Sequence, residues 1–148
     1  MKMSIKGAML GLAAFAMAFT AVVSTAQPAA AVGPCGASYA KVGSYNMMVG
    51  NRKGGTLEIY WSSTKKNNCA IAMCYGSTCG RGTYREVGIL RTNVDVAYTH
   101  EGSWDWATYA GPVYTKNSVG RCISAYARFI GPPNVDDGKA SFKGKHCG

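Results

Sequence analysis

Thr56-Leu57-Glu58-Ile59-Tyr60-Trp61, the polar run Ser62 to Asn68, and then Cys69-Ala70-Ile71-Ala72-Met73-Cys74 form the stretch that decides the fold class. In the first part Leu57, Ile59 and Trp61 fall on one face and Thr56, Glu58 and Tyr60 on the other, the period-two pattern of a strand. Ser, Thr and Asn between the two apolar runs supply turn chemistry, so the chain is expected to reverse and return as a hairpin. Ile71 and Met73 are then expected to join the core begun by Leu57, Ile59 and Trp61.

The same signals recur outward. Glu86 to Arg91 and Val94 to His100 read as a pair of strands, the second alternating Val94, Val96 and Tyr98 against Asp95, Ala97 and Thr99. Trp104 to Thr115 is aromatic throughout. Cys122 to Ile130 alternates Ile123, Ala125, Ala127 and Phe129 against Ser124, Tyr126 and Arg128, a strand with one wet face. Gly131-Pro132-Pro133 to Gly138 reads as a loop, because proline cannot donate to a ladder, and Lys139 to Lys143 as a short last strand. Helical periodicity longer than two turns is missing after the first 31 residues. The fold expected is all-β: a small disulfide-bridged antiparallel sandwich or barrel of about six or seven short strands.

Before this region the chain changes character. Lys2 and Lys6 precede an uncharged apolar run from Ala8 to Val23, and Ser24 to Ala31 is small, polar and proline-containing. That is the layout of a secretory signal peptide, with cleavage expected after Ala31 and Ala26 as the fallback. The apolar run falls short of the ~20 residues a spanning helix needs and is diluted by Gly, Ala and Thr, so no membrane span is expected in the mature form. Residues 32–148 then make one exported domain, too short for two. Loss of Lys2 and Lys6 lowers the formal charge of +9 by two and leaves a clearly basic protein. A basic exported domain meets anionic partners: wall polymers, acidic glycans, lipid headgroups or nucleic acid. Its cations are scattered (Arg52-Lys53, Lys65-Lys66, Arg81, Arg85, Arg91) and no nucleic-acid motif marks them.

All six cysteines, Cys35, Cys69, Cys74, Cys79, Cys122 and Cys147, lie beyond the leader. An even count in a small exported domain reads as three disulfides, each stabilising by about 2–4 kcal/mol. Six cysteines allow fifteen pairings, and sequence leaves them open. The preferred set is local: Cys74–Cys79 around Tyr-Gly-Ser-Thr, Cys122–Cys147 holding the tail, and Cys35–Cys69 fixing the N-terminus. Zinc held by Cys74, Cys79, His146 and Cys147 is the alternative, against which an oxidising compartment argues.

Catalytic material is thin, with two histidines and seven acids. His100 and Glu101 are adjacent and so point to opposite faces of a strand. A small basic ribonuclease would need a base such as Glu58 or Glu86, an acid such as His100 or His146, and an arginine for the phosphate. Those types are present, but no Gly-x-Ser-x-Gly, His-Glu-x-x-His or phosphate-cradling glycine pattern accompanies them in the mature chain. Neither a catalytic residue, a cofactor nor a resident metal is therefore assigned. Aromatic residues carry the binding expectation. Trp104, Trp106, Tyr109 and Tyr114 cluster near glycines, where rings can be partly exposed, and Trp61 ends its strand. Trp104 and Trp106 share a face if extended and offer a platform for a polysaccharide.

Three stretches resemble the spore-associated protein A family of small secreted actinobacterial proteins: Pro34-Cys35-Gly36-Ala37-Ser38-Tyr39; Gly55 to Trp61 running on to Asn68-Cys69-Ala70; and Tyr109-Ala110-Gly111-Pro112-Val113-Tyr114 followed by Gly120-Arg121-Cys122-Ile123. The resemblance implies export and association with a spore or hyphal surface, and brings no catalytic motif. Cys74, Cys79, Cys147 and the tail after Gly131 depart from the family pattern. The expected function is a non-enzymatic secreted protein of the spore or cell surface, whose partner is a wall or spore polysaccharide or another anionic polymer. A carbohydrate- or cell-wall-binding or antimicrobial module is the first alternative and a small basic extracellular ribonuclease the second.

Overall fold

The structure is a computed structural model that describes residues 33–76, 79, 82–104, 108–131 and 137–147. The leader assigned to residues 1–31 lies outside the described residues, as does Trp106.

Among the described residues, eight strands follow in chain order: β1 (Ala40–Val49), β2 (Arg52–Ser62), β3 (Asn67–Cys74), β4 (Tyr84–Arg91), β5 (Thr99–Ser103), β6 (Tyr109–Tyr114), β7 (Ile123–Ile130) and β8 (Gly138–Lys145). They form one antiparallel sheet in the order β5-β4-β7-β8-β1-β2-β3-β6. Its two edge strands, β5 and β6, come back alongside each other, so the sheet is a nearly closed barrel rather than two stacked layers. Pro112 is tolerated because β6 is an edge strand, and its cis bond to Gly111 sits at the irregularity between Ala70 and Ala72 in the β3–β6 register.

The barrel interior is filled by Met47, Leu57, Ile59, Ala70, Ala72, Val87, Ile89, Val113, Ile123, Ala125, Ala127 and Phe129. Register corrects the sequence expectation for β3. Glu58 pairs with Ile71 and Leu57 with Ala72, so the small alanines point inward while Ile71 and Met73 point out. They are not wasted there. Cys35, bridged to Cys69, brings the N-terminal segment over the outside of β2 and β3 and closes a second apolar cluster of Cys35, Tyr60, Cys69 and Ile71 with Tyr39 and Met73. That cover over Tyr60, with Lys41 on Glu58 and Tyr75 on Thr56, accounts for outward β2 residues being buried although the sequence alternates.

The expected strand Val94–His100 is also corrected. Arg91 grips Asp95 through its Nε and Nη2, the shortest bond being 2.6 Å, and turns the chain, so pairing starts only at Thr99 and Val96 stands fully exposed. The three disulfides are Cys35–Cys69, Cys74–Cys79 and Cys122–Cys147.

Candidate functional site

Along β4, Arg85, Val87 and Ile89 point into the barrel, which leaves Tyr84, Glu86 and Gly88 on its outside. The ladders set what joins them. Glu86 lies opposite Gly102 of β5 and Arg128 of β7, and Gly88 lies opposite His100 and Tyr126. Both glycines are floors for rings: a Cβ on Gly88 would stand 2.3 Å from the Tyr126 ring, and one on Gly102 would stand 2.1 Å from the Tyr84 hydroxyl. Tyrosines therefore lie across the sheet. Trp104, just past β5, packs on Tyr84 at 5.3 Å with 54° between planes and remains 51% exposed. Tyr98 meets Tyr126 edge-on at 4.9 Å, and the Arg128 guanidinium sits 5.8 Å over Tyr84.

Glu86 is the polar centre of this face. The Tyr126 hydroxyl donates to its Oε1 and Arg128 Nε to its Oε2, each at 2.6 Å. Burial by itself would raise the carboxyl pKa, but these two donors, with His100 nearby, outweigh it and hold Glu86 below the usual carboxylate range. Burial and the Glu86 charge push the Tyr126 phenol up. A carboxylate with both oxygens engaged and a depressed pKa is a poor general base. In a fixed ion pair, the same group can offer hydrogen-bonding partners to a polar ligand on this face.

Other predicted residues are dispersed. Trp61 is half-buried at the barrel mouth, where it lines a cleft of about 320 Å³ with Val42, Asn68, His146 and Cys147. Tyr109 and Tyr114 of β6 lie beside Met73 and Cys69; Tyr114 packs on Tyr39 at 5.6 Å and donates to the Cys35 carbonyl at 3.3 Å. Trp106 lies outside the described residues, and of the other four expected ligand-binding rings only Trp104 belongs to the β4–β5–β7 face.

The other expected acid–base partners are separated. Glu58 faces outward, held by Lys41 at 2.6 Å and Tyr60 at 2.7 Å, whereas His146 contacts Tyr45, which pairs with inward-facing Leu57. His100 and Glu101 pair with Gly88 and Val87 and so occupy opposite faces. Cys74, Cys79 and Cys147 are consumed in bridges, which leaves the four-ligand zinc set without thiolates. Arg85, one of the scattered cations of the sequence, is fully buried, with Nη1 3.5 Å from Cys74 Sγ and its pKa lowered by burial.

Tyr84, Tyr98, Tyr126 and Arg128 were missing from the expected binding set. The wet face of β7 already displayed Tyr126 and Arg128; nothing local announced that Gly88 and Gly102 would lie beneath tyrosines. Among known protein families, curated proteins and solved structures, none matches the chain.

Proposed function

We propose that the protein is a non-enzymatic exported protein of the spore or cell surface, of the spore-associated protein A type, that holds envelope polysaccharide on the outer face of β4, β5 and β7. The observation that carries this is Trp104: half its surface is open to solvent, its ring is seated on Tyr84, and Arg128, paired with Glu86, sits over the same tyrosine. A sugar ring presents one apolar face to an indole and hydroxyls at its rim to carboxylate and guanidinium, and those groups are already fixed, so little is lost in ordering them. Three disulfides suit an oxidising, extracellular setting. The commitment of both Glu86 oxygens supports binding over catalysis.

Retention of the mature protein on insoluble chitin, cellulose or peptidoglycan is the test. At least one should hold it, and Trp104→Ala should release it, since the exposed ring lies outside the core and its loss leaves the fold intact. Passage of the native protein through all three would end the polysaccharide reading.

A further inference from the structure

The ladder pairings on the outside of the barrel run one into the next across five strands. Glu86 of β4 is opposite Arg128 of β7, Arg128 opposite Lys139 of β8, Lys139 opposite Met48 of β1, and Met48 opposite Lys53 of β2. Directly paired residues share a face, and Arg128, Lys139, Met48 and Lys53 are all exposed. With neighbouring strands about 4.8 Å apart, three cations stand in a line about 14 Å long. Rings close both ends: Tyr84, under Arg128 and packed on Trp104, and Tyr75, 41% exposed, with Lys53 Nζ 5.3 Å over it.

Charge scattered for solubility does not explain this line. Like charges placed opposite each other on one face destabilise a sheet, and Lys139 and Arg128 stand opposed with the single carboxylate of Glu86 to offset both. Protection of an exposed sheet edge does not explain it either, because β8 is paired on both sides. Glu86 is the only carboxylate that the pairings put on the row among the described residues, and Arg128 already neutralises it. Lys139 and Lys53 remain to meet an outside anion.

We infer that the row is a track for a linear anionic glycan lying across the strands from Trp104 towards Tyr75, with Lys139 and Lys53 receiving successive anionic groups. The inference rests on the polysaccharide reading above and narrows it to one polymer class, whose repeating anions are carboxylates or phosphates. Single-stranded nucleic acid fits the row less well, because its binders place rings under successive bases. Here rings occupy the ends and Met48 the middle.

The mature protein titrated with polygalacturonate, polyribitol phosphate and single-stranded RNA, following tryptophan fluorescence at rising sodium chloride, tests this. Affinity for at least one of the two glycans should exceed that for RNA and fall steeply with salt. Lys53→Gln/Lys139→Gln should weaken glycan binding about tenfold at low salt and flatten the log–log salt dependence by up to about two, one counterion per lost contact. The charge-matched control Lys65→Gln/Lys116→Gln should leave that slope in place. Equal flattening by the control, an unchanged slope in the row variant, or tighter binding of RNA would each overturn the track. Retention on chitin or cellulose without affinity for either anionic glycan would overturn it while leaving the polysaccharide reading standing. Failure on every polymer would remove both.

Discussion

His146 shows how one side chain takes its properties from packing. Its backbone is left-handed (φ 50), its ring lies 5.3 Å from Phe142 and meets Tyr45 edge-on at 5.9 Å, and its Nε2 is 2.8 Å from the Tyr45 hydroxyl. Burial first, and Lys145 second, lower its pKa below the usual 6.5. A histidine depressed in the folded state binds protons more readily when unfolded, so its contribution to stability is complete above about pH 6.5 and fades as pH falls through the folded value. Glu86, held down by Tyr126 and Arg128 against its burial, and Asp95, held down by Arg91, lose theirs only in the carboxylate range, at lower pH. Urea denaturation from about pH 7.5 down to about pH 5 should therefore show a falling midpoint that His146→Asn flattens, asparagine being able to keep the left-handed backbone. A slope that persists in the variant would assign the loss to another group.

At the scale of elements, the binding face depends on glycines beneath rings. Gly88→Ala puts a methyl 2.3 Å from the Tyr126 ring, which must move and take its hydroxyl away from Glu86. Overpacking together with a buried carboxylate that has lost a donor predicts a loss of about 1–3 kcal/mol in urea denaturation. A variant as stable as the native protein would mean that the ring finds an equally good position.

Element identity was largely legible. The alternations in β2 and β7 and the apolar return of β3 each correspond to a strand. What failed is instructive: Val94 to His100 alternates like a strand, yet Arg91 and Asp95 close a turn inside it, a side-chain contact that hydrophobic period does not register. Ile71 and Met73 failed differently, because their facing is set by register with β2 and by the Cys35 segment laid over them.

For the molecule as a whole, the bridges differ in what they restrain. Cys35–Cys69 spans 34 residues, Cys122–Cys147 spans 25 and Cys74–Cys79 only 5. Chain entropy alone orders their contributions at about 4, 3.5 and 2 kcal/mol. Paired Cys→Ala variants should follow that order in thermal midpoint. The Cys35–Cys69 pair should fall furthest, because its removal also frees the cover over β2 and β3 and uncovers Ile71 and Tyr60. A larger loss from the 5-residue bridge would show that local packing, not loop length, dominates.

The sequence by itself determined the all-β class, because side-chain period is a local property, and it displayed every bridging cysteine; that the Trp104 indole is exposed was decided by the tertiary structure. The sequence left open how the cysteines pair. Tertiary structure decided that pairing, the closing of the sheet into a barrel, the burial of Arg85, and the meeting of Glu86, Tyr126 and Arg128 from strands some forty residues apart. The line of Arg128, Lys139 and Lys53 belongs to the same class of fact. Strand order and register create it, and neither is written in any one segment of the chain.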